Sequence, residues 1–71
     1  MAGHYETKLE ELSIREKWRV PKYVKWQVTT DKFVYELYAG EKCFRGEMTE
    51  GDENAKENVA QMAYEEFMGI N

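Results

Sequence analysis

Apolar and polar positions along the 71 residues follow a helical period at both ends of the chain and an alternating one between. "YETKLEELSIREKW" places Tyr5, Leu9 and Leu12 at i, i+4, i+7, one face of a helix, with Ile14 off that stripe. Its acids fall early and Arg15 and Lys17 fall late, the arrangement a helix dipole favours. Pro21 disfavours helical backbone at Val20, so "RVPK" is expected to end this helix. "YVKWQVTT" then alternates, with Val24, Trp26 and Val28 on one side and Lys25 and Gln27 on the other. In "DKFVYELYAG", Phe33, Tyr35, Leu37 and Ala39 oppose Val34, Glu36 and Tyr38. Gly40-Glu41 reads as a tight turn into "KCFRGEM", and the connection around Thr30-Asp31 must also be short. The last stretch carries Ala55, Val59, Met62, Ala63 and Phe67 at helical spacing.

The expected fold class is therefore α+β, in the order α-β-β-β-α. Two helices pack on one face of a three-stranded antiparallel sheet, and the other face meets solvent. Length bounds this to a single domain over residues 1–71, with its core at about residues 5–68. Aromatic residues make up 14 % of the chain, enough to build a core in so short a sequence.

Composition removes several functions. One cysteine, Cys43, permits neither an internal disulfide nor a cysteine-based zinc site. With no histidine near it in sequence, Cys43 reads as a small hydrophobe of a strand rather than a nucleophile. "EGDEN" lacks the glycine and glutamate spacing of a calcium loop, and no glycine-rich phosphate loop is present. No enzyme, metal, cofactor or small-molecule substrate is expected. The N-terminus turns charged at once and no apolar run is long enough for a membrane, so an intracellular setting, cytoplasm or nucleus, is expected. The net charge of −4 argues against nucleic-acid binding through bulk charge. It is unevenly spread: seven cations and five acids up to Lys32, three cations and nine acids after it.

Particular residues within this order resemble the double-stranded RNA-binding domain, from about Tyr5 to Phe67. "LEELS" followed by Pro21, Lys22 and Tyr23 looks like that family's first helix and entry to its first strand. Phe33, Glu36 and Phe44 sit where its later strands keep similar residues. "AKENVAQMAY" is similar to the pattern A-K-x-x-A-A-x-x-A-L: Ala55, Lys56, Ala60 and Ala63 keep it, while Val59 and Tyr64 depart from it.

The resemblance implies three duplex-binding surfaces, touching two minor grooves and the phosphates between them. The first is the exposed side of the first helix, where Glu11 matches the family's glutamate and Lys8 and Arg15 add phosphate contacts. These are also the residues that any solvated helix face carries. The second is a loop between the first two strands bearing Gly-Pro-x-His. Here "VTTDKF" is shorter and has none of those residues. The third is a Lys-Lys-x-Ala-Lys clamp opening the last helix. Aligned on Ala55-Lys56, its leading lysines fall at Asp52 and Glu53, and only Lys56 remains. Acids there repel phosphate from a natural anion site, and they are also good residues for a first helical turn.

Arg15, Lys17, Arg19, Lys22 and Lys25 form a basic corner with Trp18, Tyr23 and Trp26 interleaved, readable as a nucleic-acid or acidic-partner patch. The competing and favoured reading makes Trp18 and Trp26 core residues and the cations their solvated surround. Ile14, Val34, Tyr38, Cys43 and Arg45, off the helix stripe, on the outer sheet face or along the third strand from Cys43 to Met48, are candidates for a protein interface. The expectation is a non-catalytic module whose duplex surface has degenerated, serving a protein partner or self-association. Weak duplex RNA binding through the first helix, Lys56 and the basic corner is the alternative.

Overall fold

Leu9 and Leu12 bury the first helix, α1, which runs His4–Arg15 in a computed structural model that describes residues 3–69. Gly3 is its N-cap and has no side chain to satisfy the free N–H groups of the first turn. Glu6 reaches back to the Gly3 N–H at 3.3 Å. The carboxylate of Glu57, from the far end of the chain, accepts the N–H groups of Tyr5 and Glu6. The helix does not run on to Pro21 as expected. Lys17 turns left-handed at φ 61°, and the Trp18 N–H returns to the Ser13 carbonyl at 2.8 Å while the Lys17 N–H bonds that of Ile14 at 3.1 Å. This is a Schellman ending with a lysine where glycine is usual. It throws Trp18 inward against Phe67, ring centroids 4.7 Å apart.

The sheet is antiparallel in the order β1 (Lys22–Gln27), β2 (Lys32–Ala39), β3 (Lys42–Arg45). Tyr23 stands opposite Leu37 and Lys25 opposite Tyr35, so these alternate residues line the helix side. Val24 and Trp26 stand opposite Glu36 and Val34 and therefore face outward. The expectation that Trp26 is core is overturned, since it is 55 % exposed. Tyr23 takes the inward place because the register puts it over Leu37, the buried centre of β2. Gly40 and Glu41 close the β2–β3 hairpin with φ of 55° and 65°, the two left-handed residues of a type I′ turn.

The third strand comes in two pieces. A two-residue β4 (Thr49–Glu50) continues it along Lys32 and Phe33 of β2. From Glu36 to Phe33 β2 takes three steps, while its partners from Arg45 to Thr49 take four, so one extra residue makes a bulge. The Gly46 N–H still reaches the Tyr35 carbonyl at 2.9 Å, but the Glu47 N–H turns to the Asn58 side-chain oxygen at 2.9 Å.

The second helix, α2 (Asp52–Met68), lies on β2 and against α1. Ala55, Val59, Ala60 and Ala63 are its buried residues. Met62, expected on this stripe, is exposed, and Ala60 holds the inward place instead. Three alanines on that face let α2 approach both neighbours closely. Leu9, Leu12, Tyr35, Leu37 and Val59 complete the core, flanked by Trp18, Tyr23, Phe33, Phe44 and Phe67. Gly69, left-handed at φ 71°, ends the helix. The architecture is the expected α-β-β-β-α, with both helices against one sheet face.

Candidate nucleic-acid interface

Lys8, Glu11 and Arg15 follow i, i+3, i+7 along α1 and share one face. Glu11 and Arg15 are exposed. Lys8 is half-buried, its ammonium 5.7 Å from the centroid of the Tyr64 ring on α2. Arg15 Nε lies 3.7 Å from Glu16 Oε2, an exposed pair that holds little energy and leaves the guanidinium accessible.

The loop between β1 and β2 is stitched to itself. The N–H groups of Val28 and Thr29 both reach the Lys32 carbonyl, at 2.9 and 3.2 Å. The Thr29 hydroxyl donates to Asp31 Oδ1 at 3.1 Å and accepts the Lys32 N–H at 3.2 Å. At its base the Asp31 carbonyl accepts the Gly51 N–H at 2.7 Å, which fixes the loop to the start of α2. The connection consists of Val28, Thr29, Thr30 and Asp31, between the end of β1 and the start of β2.

At the start of α2 the Asp52 carboxylate is occupied on both oxygens. Tyr35, rising from the buried face of β2, donates its hydroxyl to Oδ1. Lys25 Nζ, on the same side of β1, lies 3.1 Å from Oδ2. The Tyr35 hydroxyl and then the Lys25 ammonium hold this carboxyl below the usual carboxylate range. Burial, and next the bond to Asp52, pushes the Tyr35 phenol up. Asp52 thus joins α2 to two strands while keeping negative charge at a helix N-terminus. Glu53 beside it is exposed, and among the described residues it makes no ion pair.

Lys56, the one clamp lysine that remains, is drawn into the fold. Its ammonium lies 3.5 Å from Glu6 Oε1 and 4.8 Å from the centroid of the Tyr23 ring. The Tyr23 hydroxyl beneath is buried with no hydrogen-bond partner among the described residues. Burial, then the carboxylates of Glu6, Glu57 and Glu10, raises its pKa.

The candidate interface residues do not form one patch. Ile14 is exposed on α1, whereas Val34, Tyr38, Cys43 and Arg45 belong to the outer sheet face. Val34 faces outward but is only 7 % exposed, directly across from Trp26, so it offers a partner little surface. Cys43, read both as a small hydrophobe of its strand and as an interface candidate, is exposed, because its partner in register is the outward Tyr38. Glu36 ties this face together: Trp26 Nε1 donates to its Oε1 at 3.0 Å, and Arg45 Nη1 lies 3.6 Å from its Oε2.

Lys25, Tyr35, Glu6 and Glu57 are the residues that sequence reasoning missed. Lys25 was read only as part of the basic corner and Tyr35 only as a residue of one strand face, while Glu6 and Glu57 left no trace. Among the described residues no three of His, Cys, Asp and Glu gather as a metal cage, and no helix is long and apolar enough to cross a membrane.

The chain matches the solution structure of the second double-stranded RNA-binding domain of DRB4 with a TM-score of 0.73 and 20 % identity, over 93 % of this chain and 97 % of that one. It matches a solution structure of both DRB4 double-stranded RNA-binding domains with their linker at a TM-score of 0.77 and 21 % identity. That match covers 96 % of this chain and 46 % of the two-domain chain. No family model and no curated protein matches. At this identity the likeness establishes the fold alone, which is that of the double-stranded RNA-binding domain.

Proposed function

We propose that this domain is a non-catalytic module whose duplex-binding surface is closed and which serves protein interaction or self-association. The observation that carries the reading is the Asp52 carboxylate at the N-terminus of α2, held by Lys25 at 3.1 Å and by Tyr35. A phosphate arriving there meets negative charge and a lysine already paired. The short stitched loop and the engagement of Lys56 with Glu6 point the same way. Titration with a duplex of about 16 base pairs, the length such a domain spans, at low and moderate salt tests it. No binding at physiological salt is expected, and submicromolar binding there overturns the reading. Light scattering across concentration separates self-association from a need for a foreign partner.

A second reading, weak duplex RNA binding, is favoured by the one face that Lys8, Glu11 and Arg15 share on α1, with Glu11 and Arg15 exposed. Such binding engages few phosphates and therefore has a shallow salt dependence. Glu53→Lys tightens it without touching the Asp52 contacts. If Lys8→Glu combined with Arg15→Glu leaves any duplex affinity unchanged, this route is wrong.

A further inference from the structure

At the opposite end of the sheet from Asp52, the turn from α1 into β1 and the β2–β3 hairpin enclose an open groove of about 850 Å³. Its position is fixed by close approaches. A Cβ at Gly40 would lie 3.1 Å from atoms of both Trp18 and Phe67, so the hairpin tip is seated directly on the Trp18–Phe67 pair. The Schellman turn that drives Trp18 inward leaves Lys17, Arg19 and Val20 on the groove's rim.

Two features of this lining stand out together. Lys17, Arg19, Lys22 and Lys42 surround it against a single carboxylate, Glu41, giving three net positive charges in a chain of net charge −4. Lys17, Arg19 and Lys22 are exposed and make no ion pair with any described residue, whereas Lys42 lies 3.8 Å from Glu66 Oε2. Between them apolar surface is left uncovered: Val20 is 72 % exposed and Tyr38 46 %.

From this juxtaposition we infer that the groove binds an acidic peptide segment carrying an aromatic or aliphatic side chain, supplied by a partner protein. The inference names the docking site for the interaction proposed above and rests on that reading. The rim cations steer and pair with carboxylates, while the apolar side chain covers Val20 and Tyr38. A duplex meets a protein with phosphates and 2′-hydroxyls, which satisfy the cations but bury neither apolar residue. The volume lies within the range of sites that enclose small ligands, so a short stretch of chain fits rather than a folded surface.

The test is an amide chemical-shift titration of the intact chain with three short peptides: glutamates with two phenylalanines, glutamates with two alanines, and lysines with two phenylalanines. The first is expected to shift residues 17–22 and 38–43, to weaken as salt rises, and to outbind both others. Arg19→Glu with Lys22→Glu weakens it by about tenfold or more through like-charge repulsion, with circular dichroism unchanged because both side chains are exposed. No shifts in those two segments, equal binding of the lysine peptide, or an unaffected double variant overturns the inference. A duplex of about 16 base pairs that shifts these segments when the acidic peptide does not makes the groove a nucleic-acid site and also overturns it. Submicromolar duplex binding read instead at α1 and the start of α2 defeats the proposed function, and the peptide arm still reports on the groove.

Discussion

The Glu57 carboxylate occupies the space that a side chain at Gly3 would fill, and from there it accepts the Tyr5 and Glu6 N–H groups. The cap of α1 is therefore supplied from α2, more than fifty residues away in sequence. Gly3 has an ordinary φ of −77°, so the requirement for glycine is one of room and not of backbone freedom.

Removing that cap has a calculable cost. Glu57→Ala is expected to destabilise the domain by about 1 kcal/mol, the usual worth of an N-cap, lowering Tm by about 4–8 °C. Gly3→Ala displaces the carboxylate and costs a similar amount. Gly3→Ser in the Glu57→Ala background restores a local cap and recovers about half or more of the loss. Thermal melts of these three variants and of Gly3→Ala combined with Glu57→Ala decide it, and additive losses in that last variant refute the shared cap.

Two inward tyrosines should respond oppositely to loss of their hydroxyls. Tyr23 buries an unpartnered hydroxyl, so Tyr23→Phe is expected to stabilise by on the order of 1 kcal/mol. Tyr35→Phe removes the donor to Asp52 and destabilises. Denaturant unfolding of the pair checks the sign, and a destabilised Tyr23→Phe shows that the hydroxyl has a partner.

Stability should fall at both ends of the pH scale for identifiable reasons. The Asp52 pKa is lowered in the fold, so its contribution is present above the ordinary carboxylate value of about 4 and lost as pH falls through the folded value. The phenols of Tyr23 and Tyr35 are raised, so their contribution is complete below about pH 10 and lost as pH climbs toward their folded values. Melting across pH is expected to show both limbs. Asp52→Asn flattens the acid limb, and Tyr35→Phe weakens both.

Gly40 is constrained twice, by its φ of 55° and by the rings of Trp18 and Phe67. Gly40→Ala is expected to cost about 1 kcal/mol or more for the left-handed backbone, with a further loss as the rings separate. Trp18 fluorescence should shift with the substitution, and an unchanged spectrum with unchanged stability refutes the seating of the hairpin on that pair.

Much of the fold was legible because apolar spacing marks helices and strands, and Gly40-Glu41 marks its hairpin. The inward face of β1 was not. Val24, Trp26 and Val28 are more apolar than Tyr23, Lys25 and Gln27, yet the latter set faces the helices, since Lys25 has Asp52 as a partner there. The end of α1 was missed because a left-handed lysine leaves no sequence mark and Pro21 offered a more conspicuous one. Asp52 was recognisable as an acid where a phosphate clamp belongs. That Tyr35 and Lys25 hold it depends on contacts 17 and 27 residues apart, which local pattern does not carry.

The bulge after Arg45 limits what can lie along the open side of β3. A strand added there finds regular pairing with Lys42–Arg45 and then meets the displaced Glu47, whose N–H is already given to Asn58. Four residues make a short rung count, too few to seed an extending ribbon of copies. The kink therefore acts as a stop on this side of the sheet, keeping edge-on association through β3 short and finite.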